Sequence, residues 1–313
     1  MHFRSVDDLN NAVLRNLPDV PRDLDLVVGV PRSGMLAATL VALYLNCPLT
    51  DIDGLLGSKT ISTGRRKLAY NSNELREKSK PNILVIDDSI GHGSQMRAVQ
   101  RRIRKYLPDH NVTYAAVFAT PQARHMVDLT FEELPFGQVF AWNVMHHDIL
   151  ANSCVDIDGV ITVNPLPDQD DDGECYAVFL QHAKPQIIPT VEVGWLVTGR
   201  LEKYRSQTEE WLQRHGVRYR NLCMFDAENA VARQRMGGAA PFKAAVYRNT
   251  RAKLFIESAR HEAEEIARRA GLPVICIEDW SLVEPTPLAA LKNIPHRAAR
   301  HLRKRLTRNA SGG

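Results

Sequence analysis

The sequence predicts an α/β chain of two doubly wound parallel-sheet domains, and three observations carry that prediction. Short apolar runs rich in β-branched residues recur along the chain, as in Ile83-Leu84-Val85-Ile86, Val112–Ala119, Ser153–Ile157, Trp195–Val197 and Leu254–Ile256. They are continuous rather than alternating, which marks strands buried on both faces. Two of them run into paired carboxylates, Asp87-Asp88 and Asp156-x-Asp158, at the strand end where open α/β sheets hold ligands. The third observation is size: 313 residues at 44% hydrophobic content suffice for two domains, each with its own core.

Composition excludes several classes. No apolar run approaches the roughly 20 residues of a membrane span, and MHFRSVDDLNN at the start lacks a signal-peptide core. The five cysteines, Cys47, Cys154, Cys175, Cys223 and Cys276, are scattered without CxxC spacing. A reduced, cytoplasmic chain without disulfide framework or zinc site is therefore expected. Net charge is +4, and residues 295–313 carry Arg297, Arg300, Arg303, Lys304, Arg305 and Arg308 without an acid. Such a basic C-terminal tail reads as a solvated end rather than a nucleic-acid contact.

The elements follow in order. Val6, Leu9, Val13, Leu14 and Leu17 have helical spacing before Pro18 and Pro21. A strand over Leu24–Val30 leads through Pro31-Arg32-Ser33-Gly34-Met35 into an apolar helix over Leu36–Leu45. The polar segment Gly54–Ser72, with Lys59, Arg65, Arg66 and Lys67, reads as a lid whose cations suit a diphosphate. After Ile83–Ile86 come Asp87 and Asp88 at the strand's carboxyl end, Asp88 in a solvent-facing loop, then Ser89-Ile90-Gly91-His92-Gly93-Ser94, then a helix over Gln95–Tyr106. Glycines ahead of a helix N-terminus form a ready anion site. Val112–Ala119 and Gln138–Ala141 read as further buried strands, with an amphipathic stretch at Ala123–Leu134 between them, and Trp142 and Asn143 follow.

Ile83–Met96, ILVIDDSIGHGSQM, resembles the phosphoribosyl-diphosphate (PRPP) motif of type I phosphoribosyltransferases, and VVGVPRSGM resembles the diphosphate-binding loop of that family. The resemblance implies that Asp87 and Asp88 hold the ribose hydroxyls and that Gly91, His92, Gly93 and Ser94 cradle the 5′-phosphate. It further implies that Arg32, Ser33 and Gly34 hold the diphosphate with Mg²⁺, that Lys59, Arg65 and Arg66 close over it, and that Trp142 stacks on the base. His92 and Gln95 stand where the family usually has threonines.

The second half repeats the pattern. Ser153–Thr162, SCVDIDGVIT, resembles the first motif of haloacid dehalogenase-like (HAD) phosphohydrolases. That resemblance implies that Asp156 attacks phosphorus, that Asp158 handles the leaving-group proton, and that both ligate Mg²⁺. Thr198 and Gly199, at the end of Trp195–Thr198, match the phosphate-binding motif, and Lys243, ahead of a helical stretch Ala244–Arg251, matches the neutralising lysine. Glu257 matches the last, metal-binding motif, alone and followed by Ser258, with Glu278-Asp279 as a rival placement. Pro165–Pro189 reads as a small cap.

Residues 1–150 are thus expected as a phosphoribosyltransferase-like domain, 151–294 as a HAD-like domain with a small cap, both Rossmann-like, and 295–313 as the tail. The expected activity is transfer of phosphoribose from PRPP to a nitrogenous base together with hydrolysis of a phosphate monoester, a nucleotide or nucleotide-like ester, with Mg²⁺. The alternative is a PRPP- or nucleotide-sensing domain that regulates a HAD phosphatase. Neither membrane nor nucleic acid is expected as a partner; self-association into a homo-oligomer is left open.

Overall fold

A computed structural model describes residues 1–57, 80–169 and 172–285. The expected lid cations Lys59, Arg65 and Arg66 and the basic tail lie outside the described residues. The chain divides into two compact units, Met1–Trp142 and Asn143–Gly313. Each is built on a mostly parallel sheet.

The first unit runs β1 (His2–Arg4), α1 (Val6–Asn16), β2 (Leu26–Gly29), α2 (Gly34–Leu45), β3 (Leu49–Asp51), α3 (Ile52–Leu56), β4 (Asn82–Ile90), α4 (Ser94–Tyr106), β5 (Asn111–Ala119), β6 (Leu129–Glu133) and β7 (Gln138–Phe140). Its main sheet has the order β3-β2-β4-β5-β6, with every neighbour parallel. Ser5 starts α1 through a capping box, its hydroxyl accepting from the Asp8 amide while Asp8 reaches back to the Ser5 amide. One face of the sheet packs Leu84, Ile86, Val117 and Phe118 with α1 and α2. The other packs Ile83, Val85 and Ala116 with Met96, Val99 and Ile103 of α4. This two-faced burial is why the strands read as unbroken apolar runs.

One expectation is corrected. Asp88 does not lie in a solvent-facing loop: β4 continues to Ile90, and Asp87 and Asp88 are 4% and 2% exposed. Pairing along β5, from Asn82↔Asn111 to Ile90↔Ala119, holds the strand extended through the acids. The amphipathic stretch Ala123–Leu134 resolves into a short 3-10 turn and the edge strand β6. Gln138–Phe140 leaves the main sheet and pairs in parallel with β1, Phe3 opposite Val139.

The second unit runs β8 (Ser153–Val155), α5 (Glu174–His182), β9 (Val193–Leu201), α6 (Arg205–Arg214), β10 (Tyr219–Phe225), α7 (Ala230–Arg235), α8 (Ala239–Asn249), β11 (Leu254–Glu257), α9 (Arg260–Ala270), β12 (Val274–Cys276) and β13 (Ser281–Val283). Its sheet order is β10-β9-β8-β11-β12-β13. All neighbours are parallel except β13, antiparallel to β12. Connections to both sides of β8 make its carboxyl end a topological switch point, the place where open α/β sheets bind ligands. Lys243 lies inside α8 rather than ahead of a helix. β9 runs on past Thr198 to Leu201. The segment read as a cap contains α5, held against α6 by Trp211, whose indole N–H donates to the Ala183 carbonyl at 2.8 Å.

Candidate functional site

In the first unit three chain segments converge on the end of β4. Asp87 Oδ1 accepts the Asp88 amide at 3.0 Å, and Asp88 Oδ2 accepts the Trp142 indole N–H at 2.8 Å. Burial, and then the neighbouring Asp88 charge, push the Asp87 carboxyl up to about 9. Two adjacent carboxylates out of water cannot both ionise cheaply. They are poised for a cation or a polyol, whose hydroxyls or positive charge would replace the missing solvation.

The turn after β2 comes close to these acids because it has glycine where any other residue would collide. A Cβ on Gly34 would stand 2.7 Å from Asp87 Oδ1 and 3.0 Å from Asp87 Cα. Arg32 and Ser33 precede it, Arg32 exposed and Ser33 half-buried. The loop after β4 turns through Gly93 at φ 72, a left-handed conformation suited to glycine, straight into α4, whose first residue is Ser94. Gly91 has open space where a Cβ would be, and the exposed His92 ring lies 4.7 Å from that of Phe136. Gln95 donates to the Pro31 carbonyl at 2.9 Å and so ties the two loops together. The Trp142 ring is stacked on Phe140 at 4.8 Å, so its polar edge serves Asp88 and at most one face remains for a base.

In the second unit β8, β9, β11 and α8 bring Asp156, Thr198, Glu257 and Lys243 together. The Lys243 ammonium donates to Asp156 Oδ2 at 2.8 Å, to Glu257 Oε2 at 3.0 Å and to Glu262 Oε2 at 2.7 Å. Burial alone would pull this amine down, yet the Asp156, Glu257 and Glu262 charges outweigh it and hold it well above its usual value. Asp156 is pushed up, first by burial and then by Glu257. Both directions follow from one count: three carboxylates surround a single ammonium, so the lysine keeps its proton and Asp156 is harder to ionise.

Glu262 was not singled out in the sequence. The available signal was its place one turn into α9, five residues after Glu257, where a helix starting at a strand's end swings a side chain back over that end. The Asp158 carboxylate is engaged by Arg200, which leaves its backbone carbonyl as the group through which it would ligate a metal. Its Oδ2 accepts Arg200 Nε at 3.0 Å and its Oδ1 accepts Arg200 Nη2 at 2.6 Å. Among the described residues no group of three or more His, Cys, Asp or Glu side chains is arranged to hold a metal ion. Glu278 and Asp279, the rival placement, are engaged by Arg260, through its amide at 2.8 Å and its guanidinium at 2.9 Å. Asp156, Asp158, Thr198, Gly199 and Lys243 line one cavity of about 290 Å³, with Asn164, Pro165 and Tyr176 from the segment read as a cap on its wall. Thr198 is itself fully buried, its hydroxyl accepting the Arg200 amide at 3.2 Å.

Residues 5–148 match the family model described as the phosphoribosyl transferase domain. The first unit is accordingly a phosphoribosyltransferase-like domain, and the chain is an α/β protein with parallel sheets. Solved structures similar to it include the Helicobacter pylori xanthine-guanine-hypoxanthine phosphoribosyltransferase, at 20% identity over 46% of this chain and 92% of that one, TM-score 0.35. A purine phosphoribosyltransferase from Pyrococcus horikoshii is 16% identical over 45% and 92%, TM-score 0.34. Orotate phosphoribosyltransferase from Aeropyrum pernix is 19% identical over 41% and 71%, TM-score 0.28. No curated protein matches the chain. No helix of the described residues is long and apolar enough to cross a membrane.

Proposed function

We propose that the chain is a bifunctional cytoplasmic enzyme: the first unit moves phosphoribose from PRPP to a nitrogenous base, and the second hydrolyses a phosphate monoester. The observation that carries the first half is the buried Asp87-Asp88 pair at the end of β4, with the Gly34 turn packed on it and the Gly91–Ser94 loop leading into α4. Asp87 and Asp88 hold the ribose hydroxyls while positive charge develops at its anomeric carbon. Amides of the 91–94 loop and the α4 N-terminus receive the 5′-phosphate. Arg32, with Ser33 and the Gly34 amide, receives the departing diphosphate.

For the second half, the supporting observation is Asp156 in a cavity with Thr198 and Lys243. An Asp156 oxygen attacks phosphorus, the ester oxygen leaves with a proton from Asp158, and water then cleaves the aspartyl-phosphate. Arg200 fixes the orientation of Asp158, while Thr198 and Lys243 hold phosphoryl oxygens. The hard carboxylate oxygens of Asp156 and Glu257 fit Mg²⁺, which binds through one or two carboxylates together with substrate oxygens. When bound it neutralises phosphoryl charge.

The test is a screen of bases with PRPP and Mg²⁺ that follows diphosphate and inorganic phosphate separately. Release of diphosphate with one base supports the transferase reading, and release of phosphate that Asp156→Asn abolishes supports the phosphohydrolase reading. A second reading, that the first unit senses PRPP and regulates the second, draws on His92 and Gln95, which stand where the family usually has threonines; Gln95 is instead bound to the Pro31 carbonyl. Tight PRPP binding with no diphosphate release against any base would favour it.

A further inference from the structure

Three cations line the cavity of the second unit, and two of them are already committed. Lys243 serves three carboxylates, and Arg200 is forked onto Asp158. Arg233, on α7, has no carboxylate partner among the described residues. Its Nη1 donates to the Gly199 carbonyl at 2.7 Å, which places the guanidinium beside the backbone that follows Thr198. Its Nε is buried and meets no acceptor. A buried charged donor left without an acceptor is costly, and the cost is recovered when a ligand supplies one.

We propose that Arg233 determines specificity by receiving a second anionic group, a carboxylate or a further phosphate, carried by the phosphate monoester hydrolysed in this cavity. The proposal rests on the phosphohydrolase reading of the second unit. In the proposed reaction Lys243 exchanges one of its carboxylate contacts for the transferring phosphoryl group beside Thr198, whereas Arg233 has an Nε without an acceptor and is available to another part of the substrate. A guanidinium presents its N–H groups in a planar fork that matches a carboxylate or phosphate in two-point contact. Asn164, Gln234 and Tyr176 line the same cavity and add polar groups to its wall, which suits a small oxyanion-bearing group better than a flat apolar ring.

The test uses the full chain with Mg²⁺ and three small esters: phosphoglycolate, ethylene glycol bisphosphate and ethyl phosphate. The first two carry a second anion of different kind, and the third carries none. Wild type should prefer the anion-bearing esters by on the order of tenfold to a hundredfold in kcat/KM, the worth of a charge-assisted hydrogen bond. Whichever of the two is preferred identifies the group. Arg233→Met should abolish that preference through KM and leave ethyl phosphate within a few-fold of wild type, while Arg233→Lys should recover part of it. Equal losses on all three esters would mean that Arg233 serves the transferring phosphoryl group, and the proposal would be overturned. It would be overturned equally by a wild type that does not distinguish the esters. If wild type hydrolyses none of them, the phosphohydrolase reading has failed, and calorimetric binding of the same esters decides the role of Arg233. Phosphoglycolate binding that Arg233→Met leaves unchanged would then sink it, and weakened binding would sustain it.

Discussion

The Trp142 indole N–H donates to Asp88 Oδ2 at 2.8 Å, joining side chains 54 residues apart, while the flat of the same ring lies on Phe140. One residue therefore packs the end of the first unit and fixes the second acid of the candidate site. Trp142→Phe keeps the stack and removes only the bond. We expect a melting temperature close to wild type and a loss of on the order of tenfold in kcat/KM for diphosphate release, the range for one hydrogen bond to a charged group. Wild-type kinetics in this variant would show the bond to be idle.

Asp87 predicts a pH dependence. Its carboxyl is pushed up to about 9, by burial first and by Asp88 second, whereas in the unfolded chain it titrates near an ordinary ~3.9. Between those values the folded chain holds a proton that the unfolded chain has released, so stability falls as pH rises across the window. Asp87→Asn removes that loss. The variant should melt at wild-type temperature near pH 4 and progressively above it towards pH 9. Parallel melting curves across the range would contradict the assignment.

Gly34 and Gly91 make a matched pair of tests. A Cβ at Gly34 meets Asp87 at 2.7 Å, and one at Gly91 meets nothing within 4 Å. Gly34→Ala should cost about 1–3 kcal/mol by overpacking and raise KM for PRPP, because the turn must retreat from the acids. Gly91→Ala should leave the melting temperature alone. Denaturant titration of both variants decides it.

Lys243→Met leaves Asp156, Glu257 and Glu262 facing one another without their shared cation. Removing one partner of a buried ion pair costs about 3–5 kcal/mol, and the deficit should narrow as pH falls, because protonated carboxyls no longer repel. Thermal melts of variant and wild type from pH 8 to pH 5 would reveal this. A gap that is independent of pH would mean that the lysine acts by packing alone.

Glu257→Gln should raise the Mg²⁺ concentration required for phosphate release well before it lowers turnover at saturating metal. Glu278→Gln should be silent, since its carboxylate is engaged with the Arg260 amide. A metal titration in which Glu278→Gln is impaired and Glu257→Gln is normal would move the metal one strand outward.

Much of the architecture was legible because parallel strands buried on both faces must be apolar throughout. Ile83–Ile86, Val112–Ala119 and Leu254–Ile256 fall inside β4, β5 and β11 for that reason. The edge strand β6 was not legible. Leu129–Glu133 is only partly buried and carries two glutamates, so its composition gives no buried-strand signal. The position of Lys243 was misread in the same way: Ala239–Phe242 looks like a loop because Gly238 and Pro241 flank and interrupt it, yet proline is tolerated in the first turn of a helix, where the missing N–H has no partner to lose.

By itself, then, the sequence determined the two apolar strands that carry acids, their glycine turns and the helices that follow, because each of these is enforced by residues within one turn or one strand of one another. Only the tertiary structure decided which charge meets which. Arg200 claims Asp158 across 42 residues, Lys243 gathers Asp156 across 87, and Arg233 is left with an idle donor. These pairings depend on strand order and on the rotation of α7, α8 and α9 over the sheet. Both are set by packing the whole core, and no local pattern of residues encodes them.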